Sequence, residues 1–347
     1  MTAPEAPLDP VAALREIGFL LERQRADTHR VKAYRNAADV VAGMDPAERT
    51  QRSKERSWAK AQGIGPKTAA VITQAVAGQV PEYLAGLRAE HAPLAEGGAA
   101  LRALIKGDLH CHSTWSDGGS PVEEMMATAR RVGHTYSAIT DHSPRLTVAH
   151  GLSADRLRDQ LALVDRINAE LAAEGTEFRV LKGIEVDILD DGSLDQQPDL
   201  LAELDVVVAS VHSHLRSDAE TMTHRMVAAI ANPRVNVLGH CTGRLVEGER
   251  GIRPESQFDA EVVFEACQQF GTAVEINSRP ERRDPPRRLL DLAIETGCHF
   301  AVDTDAHAPG QLDFLAYGCE RATAAGVDPA MIINTWAKDD LLAWCRP

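Results

Sequence analysis

Two triplets in this chain, His110-Cys111-His112 and Asp305-Ala306-His307, place metal-competent side chains two residues apart. On an extended strand that spacing returns both side chains to one face. Neutral imidazole with carboxylate is a donor set for Zn2+, Mn2+ or Fe2+. Between the triplets stand Asp141-His142, Glu185, His212 with His214 two residues on, and His240. Each follows an apolar run, at the end where a barrel of parallel strands gathers its active site. A single histidine of this kind is ordinary, but the joint pattern predicts a metal cluster. Such a cluster can act as a Lewis acid and lower the pKa of bound water. Ser113, Ser116 and Ser213 lie close by without a G-x-S-x-G frame, so they are expected to orient ligands rather than to attack.

The elements that must position these residues follow from the rhythm of residues 105–347. Strands are predicted to begin near Ile105, Tyr136, Phe178, Asp205, Val235, Thr272 and His299. Helical patterns fall at 121–132, 153–174, 218–230, 257–269 and 286–296. This alternation predicts an α/β fold with a parallel sheet, most simply a distorted seven-stranded barrel.

Residues 1–90 follow a different pattern and predict a small all-α domain, with 91–104, including Glu96-Gly97-Gly98, as a linker. Asp9 before Pro10 starts a helix with Val11, Leu14, Ile17, Leu20 and Leu21 on one face. A second helix over 30–42 carries Val31, Tyr34, Ala37, Ala38 and Val41. Then a helix, Gly63-Ile64-Gly65 and Pro66-Lys67-Thr68 form a helix-hairpin-helix. Gly63 and Gly65 bring backbone N–H groups to a helix N-terminus, where phosphate is favoured. Between Arg30 and Lys67 lie nine basic and four acidic residues. Arg35 and Lys67 are the cations assigned to a nucleic-acid backbone, a contact that grips without reading sequence.

The 347 residues, 44% hydrophobic and 25% charged, exclude disorder along most of the chain. No apolar run is long enough for a membrane helix. Met1 to Pro10 lacks the basic and apolar regions of a secretory signal, so a cytoplasmic protein is expected. The six cysteines form no CxxC pair and are read as reduced, packed thiols. The formal charge of −14 is uneven: residues 1–90 carry 13 basic and 11 acidic residues, leaving net −16 on the remainder. An acidic body repels nucleic acid unless a basic domain or bound metal offsets it.

The segments Gly107-Asp108-Leu109-His110-Cys111-His112-Ser113, Ser116-Asp117-Gly118, Ile139-Thr140-Asp141-His142, Gly183-Ile184-Glu185, Val211-His212-Ser213, Gly239-His240 and Asp303-Thr304-Asp305-Ala306-His307 resemble the motifs of the PHP (polymerase and histidinol phosphatase) family, in order. The resemblance implies a (β/α)7 barrel and three divalent ions, Mn2+, Zn2+ or Fe2+. It assigns His110, His112, Glu185 and Asp305 to one metal. A second would share Glu185 and add His212 and His240, and the third would take Asp117, His142 and His307. Asp117 stands where some members carry histidine, an oxygen ligand that favours Mn2+. Water activated on the metals would attack phosphorus in line. Arg145 and Arg279 are expected to bind phosphate, with Lys182, Arg216 and Arg282 as weaker candidates. His214 is a candidate leaving-group acid.

Residues 8–88 are similar to the N-terminal domain of bacterial family X DNA polymerases, whose palm and fingers do not fit within residues 91–104. Related lyase domains keep a Schiff-base lysine four residues after the hairpin lysine. This chain has Val71 there, so lyase chemistry lacks its nucleophile.

The resemblance implies phosphoester hydrolysis; removal of terminal phosphate from DNA or RNA is the expected form, because arginines near the metals suit a dianionic phosphate and the helix-hairpin-helix would hold the strand. The alternatives are a 3′→5′ exonuclease acting in DNA repair, a small-molecule phosphatase like histidinol phosphatase, and a non-catalytic binding module. Oligomeric state is not legible.

Overall fold

The apolar stripes of the N-terminal residues do what their spacing predicts. The computed structural model describes residues 9–248 and 251–346; residues 1–8, on which the reading of the N-terminus partly rests, lie outside the described residues. The chain divides into two compact units, residues 1–93 and 94–347.

In the first unit, Asp9 accepts from the N–H groups of Val11 and Ala12 and starts the helix Pro10–Arg23. Thr28–Gly43, Pro46–Glu55, Pro66–Val76 and Glu82–Ala89 follow. Leu14, Ile17, Leu21, Ala37, Val41, Ile72 and Leu84 meet in one core, and full burial of such a side chain is worth about 1.5–3 kcal/mol. Val71 belongs to that core as well, so its position is filled by packing rather than by an amine. The helix Pro46–Glu55 buries none of its residues. The hairpin is pinned by Trp58 and Ile64, both buried. Gly63 has φ 86°, a left-handed value that glycine adopts without strain.

The second unit is a barrel of seven strands: β1 Gly107–Asp108, β2 Tyr136–Ile139, β3 Arg179–Asp187, β4 Val206–Ser210, β5 Val237–Leu238, β6 Ala273–Asn277 and β7 Phe300–Asp303. They pair in chain order, every neighbour parallel. A parallel bridge between Cys111 and Ala306 brings the two ends of the sheet together beyond β1 and β7. Each crossover carries helix, notably Val122–Arg131, Ala154–Ala173, Ala219–Ile230, Ala260–Phe270 and Arg287–Thr296. Leu109, Tyr136, Ala138, Leu181, Val208, Val237 and Ala301 belong to one buried apolar cluster with Ile333 and Leu341. Ile184, Val186, Val207, Leu238, Ile276 and Val302 belong to a second, with Leu157, Met226, Phe264 and Leu290 of the helices. All six cysteines are buried free thiols. Among the described residues no helix is long and apolar enough to cross a membrane.

The stretch 91–104 is less of a linker than its composition predicts. Residues Ala99–Leu104 are helical and Leu101 is buried in the barrel unit. The Glu320 carboxylate accepts from the N–H groups of Glu96 and Gly97 at 3.1 and 3.0 Å. Gly98 has φ 76°, and a Cβ there would lie 2.4 Å from the Glu320 backbone nitrogen. The glycines serve close approach as well as turning, a use that composition does not distinguish from flexibility.

Candidate metal centre

The ends of the parallel strands deliver the cluster. Glu185 lies within β3, while His142, His212 and His240 stand just beyond β2, β4 and β5. His110 and His112 follow β1, and Asp305 and His307 follow β7. The expected strand geometry of the two triplets is corrected here. Both strands end before the triplets begin, and Asp305 has φ 51°. A turn rather than the pleat brings Asp305 and His307 to the centre. His240 also has positive φ, 20°, consistent with backbone strain collecting at functional sites.

Glu185 is the hub. Its carboxylate oxygens lie 2.9 Å from His142 Nδ1 and His240 Nε2, 3.2 Å from His110 Nε2 and His212 Nε2, and 3.5 Å from His112 Nε2. Asp305 lies 3.4 Å from His112 Nε2. Asp117, more exposed, lies 3.5 Å from His142 Nε2 and 3.4 Å from His307 Nε2.

Three sets of potential ligand atoms each fall within 4.8 Å: His112, Asp117, His142 and His307; His110, His112 and Asp305; His142, Glu185 and His212. His240 joins through Glu185. All nine residues assigned by resemblance are therefore brought together, though the sets share His112 and His142 differently from that assignment.

The residues fit divalent ions on their own chemistry. His110 Nε2, both ring nitrogens of His112, His142 Nδ1, His212 Nε2 and His240 Nδ1 are buried and make no well-formed hydrogen bond among the described residues, even where a Glu185 oxygen is close. Each orphaned polar atom costs about 1–3 kcal/mol unless something satisfies it. Burial, with the nearby His307 and His142, pushes His112 down to about 3, leaving a neutral imidazole with its lone pair available. Burial alone would raise Glu185, but the histidines around it hold it well below the usual carboxylate range. Burial likewise opposes the charge on Asp305, and Arg282 and Arg279 outweigh it. Burial opposes charge on His110 and His212 too, but Glu185 with Glu275 holds His110 well above the usual imidazole range, and Glu185 with Asp187 lifts His212 to about 9. The donor set is imidazole with ionised carboxylate, without thiolate.

A second layer of residues went unassigned in the sequence. Glu275 accepts from His110 Nδ1 at 2.6 Å, and Asp187 accepts from His212 Nδ1. Both bonds turn the Nε2 lone pair inward, the usual way carboxylates orient ligating histidines. Arg225, 2% exposed, donates to the carbonyls of Ile188, Leu189 and Ser213, tying the loops after β3 and β4 together. A signal existed for the carboxylates: Glu185 with Asp187, and Glu275 with Asn277, repeat the two-residue step at strand ends. Glu275→Gln is expected to lower metal affinity and kcat about 10–100-fold, with recovery of kcat at saturating metal. Isothermal titration with Mn2+ beside steady-state kinetics checks this, and unchanged affinity would remove Glu275 from the centre.

The candidate substrate groups divide. Arg279 Nη1 lies 2.8 Å from His307 Nδ1 and donates to the Asp305 carbonyl at 3.2 Å. Arg282, ranked lower by sequence, is buried. Its Nε donates to Asp305 at 2.9 Å, and its Nη1 has no partner among the described residues. Arg145 is exposed, and its side chain makes no hydrogen bond or ion pair among the described residues, though its charge acts on Asp190. His214, also exposed, bonds Asp190 through Nδ1 at 2.9 Å. Lys182 is paired with Asp165.

In the first unit Gly63, Gly65 and Lys67 are exposed at the hairpin, while the Gly65 N–H is already taken by the Thr68 hydroxyl at 3.0 Å. Arg35 corrects the reading. It is buried and forms a two-pronged ion pair with Glu22 at 2.8 and 2.6 Å. A guanidinium so engaged braces two helices and is not offered to phosphate.

Comparison with known proteins agrees with this architecture. Residues 8–80 match the helix-hairpin-helix domain model and 108–279 match the PHP domain model. The chain is 39% identical over 242 residues to the DNA polymerase/3'-5' exonuclease PolX of Bacillus subtilis, covering 70% of this chain and 41% of that one. It is 30% identical over 223 residues to a probable phosphatase of Caldanaerobacter subterraneus, covering 61% of this chain and 79% of that one. A probable phosphatase of Syntrophotalea carbinolica is 27% identical over 250 residues, with 93% of its length covered. With a seven-stranded parallel barrel, its histidines and carboxylates at the strand ends, and a helix-hairpin-helix domain before it, the chain belongs to the PHP family of metal-dependent phosphoesterases.

Proposed function

We propose that the protein removes terminal phosphomonoesters from polynucleotides, using three divalent ions, Mn2+ or Zn2+. The observation that carries this reading is the presence on one chain of a helix-hairpin-helix with Lys67 exposed and a metal centre flanked by Arg279 and Arg282. His110, His112, Glu185 and Asp305 would hold one ion; Glu185, His212 and His240 a second; Asp117, His142 and His307 a third. When bound, such ions supply Lewis acidity and water of near-neutral pKa.

The chain's own groups do the rest. Arg279 and Arg282 offer fork-shaped donors that suit a dianionic terminal phosphate. Arg145 and His214 stand on more open loops, where His214 could hand a proton to the leaving oxygen. Lys67 and the hairpin backbone at Gly63 hold the strand by its phosphates, with Gly65, its N–H held by Thr68, shaping the turn.

A second reading, a 3′→5′ exonuclease, is favoured by the name of the Bacillus relative. Oligonucleotides labelled at a 5′ or 3′ terminal phosphate, incubated with Mn2+ or Zn2+, separate the two. Free phosphate with a full-length strand supports the phosphatase, and a shortening ladder of mononucleotides supports the exonuclease.

Lys67→Glu is expected to raise KM for an oligonucleotide roughly tenfold at low salt, with a shallower salt dependence, while p-nitrophenyl phosphate is hydrolysed as before. Equal loss on both substrates would end this division of labour.

A further inference from the structure

One cavity, among the loops that follow His212 and His240, is unused by the mechanism above. It has a volume of about 320 Å3, and Leu215, Arg216, Ser217, Arg253, Pro254, Glu255 and Gln257 line it; the Glu255 carboxylate is already paired with Arg244 and Arg288. Its walls are the loops that leave β4 and β5, which also carry His212 and His240. The Ser217 N–H and hydroxyl both donate to the His214 carbonyl, at 3.0 and 2.8 Å. Arg253 Nε donates to the Gly243 carbonyl at 2.6 Å, and the Gly243 N–H donates to the His240 carbonyl at 2.8 Å. Leu215 packs so tightly on Gly243 that a Cβ there would lie 2.9 Å from Leu215 Cδ2. The cavity is thus built by the same hydrogen-bonded loops that present two of the candidate ligands.

Its chemistry is mixed in a particular way. Leu215 and Pro254 offer apolar surface, Gln257 an amide and Arg216 a guanidinium, while Arg253 is tied to the Gly243 carbonyl and the charge of Glu255 is met by Arg244 and Arg288. Arg216 is exposed and makes no hydrogen bond or ion pair among the described residues. In a region of net charge −16 acidic partners are plentiful, so an unpaired arginine beside the site is free to meet an incoming anion. The volume lies in the range of small-ligand pockets, which combine apolar walls with a few polar groups.

We propose that this cavity is the subsite for the nucleoside bearing the scissile phosphate, with Leu215 and Pro254 against the base and Arg216 on the next phosphodiester of the strand. The proposal rests on the end-phosphatase reading and names the group through which that reading achieves selectivity. A flat, partly apolar base gains from burial there. A small phosphate ester with a compact leaving group does not reach it.

The test compares wild type with Gln257→Trp, Leu215→Trp and Arg216→Glu on three substrates: an end-phosphorylated oligonucleotide, a nucleoside monophosphate and p-nitrophenyl phosphate. Gln257 is exposed, so tryptophan there narrows the cavity from the solvent side with little demand on folding. Both tryptophan variants should lower the ratio of kcat/KM for the nucleoside ester over p-nitrophenyl phosphate by about tenfold or more, the scale of one lost base-stacking contact. The loss should fall on KM. Arg216→Glu should lower the oligonucleotide relative to the nucleoside monophosphate. An unchanged ratio in Gln257→Trp overturns the subsite. Wild type active on the nucleoside monophosphate but not on the oligonucleotide removes the polynucleotide reading, while the ratio still judges the subsite. Wild type active on p-nitrophenyl phosphate alone overturns both.

Discussion

Glu185→Gln is expected to lower kcat/KM by on the order of 10^3-fold or more on every phosphoester, polynucleotide or small. The carboxylate lies between 2.9 and 3.5 Å from five imidazoles. Glutamine keeps the shape of the side chain but removes its charge and turns one oxygen into an N–H donor. That donor would face ring nitrogens that need to offer lone pairs. Metal content measured by elemental analysis should fall with activity, while far-ultraviolet circular dichroism should persist because β3 remains paired on both sides. Activity within tenfold of wild type on p-nitrophenyl phosphate would show that Glu185 is not a shared ligand. Lys67→Glu makes the complementary comparison, since it should spare the small ester that Glu185→Gln abolishes.

Removal of divalent ions by a chelator should abolish hydrolysis and lower the Tm of the barrel by roughly 10 °C. This follows from about 4 kcal/mol of ligand linkage at a thousandfold excess over Kd, in a domain whose Tm moves about 2–4 °C per kcal/mol. The physical source is the set of buried imidazole nitrogens that make no well-formed hydrogen bond among the described residues, together with two buried carboxylates held ionised. Every candidate ligand lies in residues 94–347. The melting of the N-terminal unit should therefore not respond to the chelator. Scanning calorimetry with and without chelator, followed by re-addition of Mn2+ or Zn2+, measures both effects. Full activity in protein shown to contain no metal would refute the metal-centred reading.

Much of the second unit was legible because its signals are local. Strands predicted to begin near Tyr136, Phe178, Asp205, Thr272 and His299 begin at Tyr136, Arg179, Val206, Ala273 and Phe300. β1 and β5 start two residues after their expected points and hold two residues each. The helices after β2, β4 and β6 start at Ala154, Ala219 and Arg287, each one residue inside its predicted bound. The alternation of short apolar runs with amphipathic stretches records the layering of a parallel sheet directly in chain order.

Errors arose where two sequence features look alike but differ in space. Arg35 belongs to a run of basic residues, and nothing in the run separates a solvated guanidinium from one clamped on Glu22. Glu96-Gly97-Gly98 has the composition of a flexible connector, yet Gly98 is required by a backbone contact with residues 319–320. Arg282 was ranked below Arg145, because distance from a strand end does not report the turn at residues 279–283 that aims it at Asp305.

The sequence by itself determined the kinds of ligand, their placement after successive strands and the identity of both units. These depend on residue type and short-range spacing, which chain order preserves. Only the tertiary structure decided that Glu185 meets five histidines, that Glu275 orients His110 from 165 residues away, and that Arg282 rather than Arg145 lies on Asp305. Those contacts depend on how the barrel closes and how each loop turns back, and no local periodicity carries that information.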